Sequence, residues 1–233
     1  MNKKILIFTA TYNEAENIRE FIEKILKLNI KLDLLIIDDN SPDNTWKIVN
    51  EYTKENENII LVKRESKEGL DTAHKLAFNY AKDHNYDYLI TLDADLSHDP
   101  EKIPDFLDEL KNNPFLIGSR YVKDGKNEMK LKRYILSSVG NKIIKFILGI
   151  NSDEFTSGYR GFNLEMLGNF DMNKVSSKGY SFFMETVYLI SAAGHSIKQI
   201  PIRFKDREKG ISKIPKIETF RTLKNLFLLK IKK

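Results

Sequence analysis

Hydrophobic residues in the first half of the chain fall into short unbroken runs, separated by longer stretches in which they recur at helical spacing. Lys4-Ile-Leu-Ile-Phe-Thr9, Leu34 to Ile37, Ile59 to Val62, Tyr88 to Leu92 and Phe115 to Gly118 are the runs. They are too short for helices and rich in β-branched and aromatic residues, the pattern of strands buried on both faces. Between them lie sets at three- and four-residue intervals: Ala15, Ile18, Phe21, Ile22, Ile25 and Leu26; Ile48, Val49 and Tyr52; Leu70, Ala73, Leu76, Ala77 and Tyr80; and Ile103, Phe106, Leu107 and Leu110. Each set makes one apolar face of a helix. Strand–helix alternation of this kind predicts an α/β fold, a mostly parallel sheet flanked by helices on both faces. Such sheets bind ligands beyond the carboxyl ends of their strands.

Three of those ends carry polar clusters. Thr11-Tyr12-Asn13-Glu14 follows the first run, Asp38-Asp39-Asn40-Ser41-Pro42-Asp43 the second, and Asp93-Ala94-Asp95 the fourth. Alternation puts Asp93 and Asp95 on one side of an extended chain. Two carboxylates so close resist joint ionisation unless a cation sits between them, and Mg²⁺ or Mn²⁺ suits carboxylate oxygens beside phosphates. Taken singly, each cluster also reads as a loop of turn-forming residues. Acidic residues at all three ends would fill one crevice with negative charge, which calls for a metal ion or for a sugar and base to hydrogen-bond. No G-x-G-x-x-G follows the first strand and no Walker-type G-x-x-x-x-G-K-[ST] occurs, against a dinucleotide or P-loop site.

Beyond residue 120 the character changes. Lys123 to Lys132 is polar and basic and predicts a mobile loop. Leu131 to Ser138 runs into Lys142 to Leu148 as a basic amphipathic segment, either a core-facing helix or a membrane contact. Ile197 to Phe204 predicts another strand. In the tail, Phe220, Leu223, Leu226 and Phe227 share one face among lysines, which can pack on the domain or lie on an anionic bilayer.

Composition narrows the partners. Of 233 residues, 41% are hydrophobic and 30% charged, as in an ordinary globular protein, and the net charge of +5 favours anionic partners. With no cysteine, disulfides and thiolate metal sites are excluded. His74, His84, His98 and His195 show no zinc spacing. No segment has the length and apolarity of a membrane span, and Met1-Asn2-Lys3-Lys4 leads into a strand rather than a signal peptide. No nucleic-acid-binding module is visible.

Together the blocks resemble the family-2, GT-A-type glycosyltransferases, and within them the dolichyl-phosphate (polyprenyl-phosphate) mannose synthases. The resemblance runs in order through Thr11–Glu14, Asp38–Asp43, Asp93–Pro100, Gly118-Ser-Arg-Tyr121 and Leu131-Lys-Arg133. It continues through Thr156-Ser-Gly-Tyr-Arg160, Lys178-Gly-Tyr180 with Glu185, and Phe204-Lys-Asp-Arg207 with Gly210 and Ser212-Lys213. It implies a single domain over 1–233, with a nucleotide-sugar-binding half (1–120) and an acceptor-binding half (121–233). By resemblance Ala10, Tyr12, Glu14, Asp38, Asp39, Asp93, Ala94 and Lys213 hold the nucleotide-sugar, GDP-mannose being favoured. Asp93, Asp95 and Ser97 hold Mg²⁺ or Mn²⁺; Arg120, Arg133 and Ser137 bind the phosphate of a polyprenyl acceptor; Asp95, Arg120 and Arg207 serve catalysis. Three positions depart from the family's pattern: Ala10 for a proline, Asp71 for a glycine, and Glu154-Phe155 for Asp-Pro. The expected place is the cytoplasmic face of a membrane, reached by surface contact or a membrane partner subunit. Two other readings are open. One is a transferase that uses a UDP-sugar to glycosylate a saccharide, with Glu185 or Asp99 as base. The other is a nucleotide-sugar-binding scaffold with a dead site.

Overall fold

The structure, a computed structural model, describes residues 3–206 and 218–231. In chain order the elements are β1 (Ile5–Thr11), α1 (Ile18–Lys27), β2 (Asp33–Asp38), α2 (Thr45–Glu55), β3 (Ile59–Lys63), α3 (Leu70–Asp83), β4 (Tyr88–Thr91), α4 (Ile103–Glu109) and β5 (Phe115–Ser119). There follow β6 (Lys126–Glu128), α5 (Leu131–Leu148), β7 (Arg160–Asn163), α6 (Leu164–Leu167), α7 (Ser181–Ala192), β8 (Ile197–Pro201), β9 (Arg203–Lys205) and α8 (Glu218–Ile231). The main sheet has the order β3-β2-β1-β4-β7-β5-β8, with β6 and β9 paired separately. All pairs in it are parallel except those of β7, which runs antiparallel between β4 and β5. The fold is the expected α/β sheet, and each predicted run is a strand within a residue or two of its ends.

Helices cover both faces. One core gathers Phe8, Leu35, Phe78 and Phe162 with α3, α7 and α8; the other gathers Ile7, Ile36, Phe21 and Phe106 with α1, α2 and α4. Adjacent strand residues therefore alternate between two dry layers, which is why the strands read as unbroken apolar runs.

Four features differ from the expectations. Arg160-Gly161-Phe162-Asn163 has no apolar run, yet it is a central strand whose four residues are all buried. Gly161 is what lets α4 pack so closely: a Cβ there would lie 3.2 Å from Phe106 and 3.3 Å from Leu110. The stretch Ile197 to Phe204 is two strands, not one. Ile202 donates its N–H to Ser119 O (3.1 Å) and accepts from Lys126 N (2.9 Å), so it hands the chain from β5 to β6. Through that handover the expected loop at 123–132 gains the strand β6. Finally, the apolar residues of α8 do not form one face. Leu226 and Leu229 are buried in the core, whereas Leu223 (40% exposed) and Phe227 (58%) point outward; the two pairs sit on different sides of a 3.6-residue turn.

Candidate active site

The loops after β1, β2 and β4 enclose a cavity of about 370 Å³, reached also by Lys67, Lys178, Tyr180 and Arg221. Its walls carry the carboxylates of Glu14, Asp39, Asp71, Asp93 and Asp95, with Ala10, Tyr12 and Ala94 between them. The loop conformations follow from the sequence. Asn13 (φ 58°), Asn40 (φ 55°) and Asn44 (φ 64°) take left-handed backbone, where asparagine is the best tolerated residue with a side chain.

Most of these acids are fixed in place. Asp39 Oδ1 pairs with Arg64 Nη1 at 2.8 Å, and its Oδ2 accepts from Gly69 N at 2.9 Å. Arg64, itself buried, also donates to Thr72 Oγ1 (2.9 Å), joining the second strand's loop to the start of α3. Glu14 Oε2 accepts from Asn17 Nδ2 (2.8 Å), and its N–H donates to Thr45 Oγ1 (2.9 Å). Asp71 Oδ1 accepts from Gly179 N (3.0 Å) and so tethers the Lys178–Tyr180 turn. The Lys67 ammonium lies 3.8 Å from the Tyr12 ring centroid, a cation–π contact. Asp38 does not line the cavity. It is fully buried, and its carboxylate accepts from Thr11 Oγ1 (2.8 Å), Ser41 Oγ (2.6 Å) and Ser41 N (2.8 Å), which fastens the two loops.

Asp93 and Asp95 come together through a turn past the end of β4 rather than through an extended strand. Asp95 Oδ1 accepts from both Ser97 N (3.0 Å) and Ser97 Oγ (2.6 Å), while Leu96 between them takes the left-handed φ of 59°. A leucine in that region is strained by roughly 1–2 kcal/mol. Behind them, Asp93 N donates to His98 Nδ1 at 3.3 Å. Burial pushes the His98 pKa down to about 4 against the pull of Asp95, with Arg120 adding to the depression, so the ring accepts this bond as neutral imidazole. Gly158 presses on Asp93 from the other side: a Cβ there would lie 2.9 Å from Oδ1.

A second cavity, of about 390 Å³, shares Asp93, Asp95 and Tyr180 with the first. Its polar end holds Ser97, His98, Arg120, Arg133, Ser137 and the Thr156–Gly158 loop. Its other walls are apolar residues of α5 and α8: Leu136, Val139, Ile143, Ile144, Leu223 and Leu226. The Arg120 side chain is 8% exposed; Nη2 is 3.2 Å from Glu154 Oε2 and donates to Ser137 Oγ at 3.4 Å, and the guanidinium lies 4.4 Å from the Phe204 ring centroid. Arg133 is half-exposed and ion-paired with Asp206.

The residues expected at the acceptor, Arg120, Arg133 and Ser137, thus meet in one cavity. Of those expected at the nucleotide-sugar, Ala10, Tyr12, Glu14, Asp39, Asp93 and Ala94 meet in the other. Arg207 and Lys213 lie outside the described residues. Glu185 and Asp99 line neither cavity. Glu185 accepts from Ser176 N, Ser176 Oγ and Ser177 N, and Asp99 caps the turn at Pro100. Arg64, Lys67 and Arg221 carry no site expectation from the sequence, and Glu154 stands there only as a departure from the family's pattern.

The model of glycosyl transferase family 2 matches residues 6–170. The chain belongs to that family. Among its relatives, the polyprenol monophosphomannose synthase of Mycolicibacterium smegmatis is 33% identical over 215 residues, covering 91% of this chain and 81% of the relative. The undecaprenyl-phosphate mannosyltransferase of Micrococcus luteus is 32% identical over 212 residues, covering 91% and 87%. The fold of this transferase is also that of a mannosyltransferase from Pyrobaculum calidifontis solved in complex with GDP-Man and Mn²⁺, with a TM-score of 0.63, 16% identity, and coverage of 100% of this chain and 65% of that one.

Among the described residues, no three His, Asp or Glu side chains converge into a metal cage, and none of the helices is long and apolar enough to cross a membrane. The two carboxylates at the junction of the cavities remain a fitting donor set for Mg²⁺ or Mn²⁺. Such ions take one or two carboxylates and complete their shell with substrate phosphates and water.

Proposed function

We propose that this transferase moves mannose from GDP-mannose onto a polyprenyl phosphate, with inversion at the anomeric carbon. The observation that carries the reading is the pair of cavities meeting at Asp93, Asp95 and Tyr180: one ringed by carboxylates, the other ending in two arginines at the head of an apolar trough. The relatives' names supply the sugar and the lipid.

The donor occupies the strand-end cavity, where Glu14 and Asp39 accept from base N–H groups and ribose hydroxyls. Asp93 and Asp95 would hold a divalent cation there, which would supply charge neutralisation for the leaving diphosphate. The lipid phosphate lies against Arg120 and Arg133, whose forked guanidinium groups suit phosphate oxygens. Ser137, at the same end, adds a hydroxyl. This nucleophile is already an anionic oxygen at neutral pH, so no protein base is needed. The arginines' task is to bring one anion up to another in line with the sugar's anomeric carbon.

The prenyl chain leaves along α5 and α8, which pack together. Leu131, Ile135, Leu136 and Phe146 on α5, and Leu223, Phe227 and Ile231 on α8, are exposed apolar side chains. Lys132, Lys142, Lys224 and Lys230 are exposed among them. This is the composition of a surface that lies on an anionic bilayer, and it supports a peripheral position on the membrane that holds the acceptor.

The test offers purified protein, Mn²⁺ and polyprenyl phosphate to GDP-mannose and to several UDP-sugars in turn. The expected result is a mannosylated lipid from GDP-mannose alone. Transfer from a UDP-sugar to a saccharide, with the lipid phosphate untouched, overturns the proposal.

A further inference from the structure

We infer that Glu154, which stands where the family's pattern has another residue, is the positioning residue of the acceptor cavity: it sets both the Arg120 guanidinium and the Thr156–Gly158 loop. The inference rests on the transfer reading above.

Glu154 is fully buried, so its charge requires partners on every side. Its Oε1 accepts from the N–H groups of Phe155 (3.2 Å), Thr156 (2.9 Å) and Ser157 (3.2 Å), and from Thr156 Oγ1 (2.8 Å). Its Oε2 faces Arg120 Nη2 at 3.2 Å. The carbonyls of the same loop turn to the opposite charge. Arg160 Nε donates to Ser157 O (2.8 Å), and its Nη2 donates to Phe155 O (3.0 Å) and to Phe183 O (2.8 Å) at the start of α7. One buried carboxylate therefore takes the loop's donors and one buried guanidinium its acceptors.

The loop's placement matters because Gly158, at its end, rests against Asp93. Arg120's placement matters because its guanidinium, held by Glu154, Ser137 and the Phe204 ring, lines the polar end of the acceptor cavity. A carboxylate beside Arg120 has two opposing effects on an incoming anion. It lowers the local positive charge, which weakens attraction, and it fixes the fork, which strengthens a bidentate contact. The number of bonds converging on Oε1 makes positioning the larger effect.

The experiment compares Glu154→Gln with the intact protein, measuring KM for polyprenyl phosphate, kcat, and the dissociation constant of GDP-mannose at equilibrium. The amide keeps the size and one acceptor oxygen but loses the charge. The expected result is a roughly tenfold or larger rise in acceptor KM or fall in kcat, with donor affinity, reached only through the contact of Gly158 with Asp93, changed less than the acceptor parameters. In an Arg120→Lys background the same change should add little, because both substitutions disturb one fork. A fall in acceptor KM would mean that Glu154 only competes with the phosphate for Arg120; unchanged parameters, or full additivity with Arg120→Lys, would equally overturn the inference. If Glu154→Gln lacks the native melting transition, Glu154→Asp, which keeps the charge, takes its place under the same criteria. Intact protein that transfers nothing to lipid phosphate would sink the transfer reading itself. An active intact protein with an indifferent variant sinks only this inference.

Discussion

The strand-end cavity and the helix-walled cavity share three residues and little else. The first is built largely from the loops directly after parallel strands, and its carboxylates are pinned by backbone N–H groups, Asn17 and Arg64. The second draws its polar end from Arg120 just past β5, from α5 and from the Thr156–Gly158 loop, and its walls from apolar faces of two helices. The difference matches two kinds of ligand. A nucleotide-sugar is small, polar and uniform, so rigid hydrogen-bond acceptors at strand ends can specify it. A lipid phosphate has a compact anionic head and a long featureless tail, so it needs a forked cation at one point and an apolar path leading away.

The contrast can be broken first at the junction. Replacing Asp95 with Asn should lower turnover on the order of a thousandfold, with the melting temperature little changed and no recovery in excess Mn²⁺. Full turnover of the intact protein in excess EDTA would remove the metal from the account.

The helix-walled side is sharpened by separating the two sides of α8. Leu226→Ser should destabilise the protein by about 2–4 kcal/mol, since it leaves a cavity and buries a hydroxyl. Leu223→Ser with Phe227→Ser should leave stability within about 0.5 kcal/mol, yet reduce sedimentation with anionic vesicles at low salt. Equal destabilisation by both would show that the outward residues belong to the core, and vesicle binding untouched by the double change would remove the membrane contact.

A smaller effect lies beneath the strand-end side. Burial, helped by the charge of Arg160, pushes the His74 pKa from 6.5 down to about 3, so the folded state keeps the ring neutral among Phe8, Phe182 and Phe183. Below pH 6.5 the unfolded chain binds a proton that the folded chain refuses. Stability is therefore whole above that pH and falls as the pH drops toward 3, by up to about 1.4 kcal/mol per unit from this group. Denaturant unfolding at pH 7.5 and pH 5 should show a shallower acid loss in His74→Phe. An unchanged slope would mean that the ring takes up its proton in the folded state as well.

The same contrast governs how far the sequence could be read. Strand runs and the loops directly after them are local features, so Tyr12, Glu14, Asp39, Asp93 and Asp95 could be placed at one edge from spacing alone. Strand β7 is hidden in the sequence because its apolar periodicity is broken by Arg160 and Asn163, two polar residues that hydrogen-bond inside the fold, Arg160 to loop carbonyls and Asn163 to Leu110 O and Met166 N. Asp38 shows a related limit: an acid at a strand end looks the same in sequence whether it faces ligand or, as Asp38 does, fastens its own loop. The second cavity is legible only through family resemblance, because Arg120, Arg133 and Ser137 meet through tertiary packing. The apolar pattern of α8 marked what is greasy without saying which side the core would take.

The central claim is that the two cavities hold different substrates. Arg133 tests it most cleanly, being half-exposed and ion-paired with Asp206. In Arg133→Ala, GDP-mannose titrated in Mn²⁺ should bind within about twofold of its normal affinity, while KM for polyprenyl phosphate rises roughly tenfold. Loss of GDP-mannose affinity with an unchanged acceptor KM would contradict the assignment of the cavities.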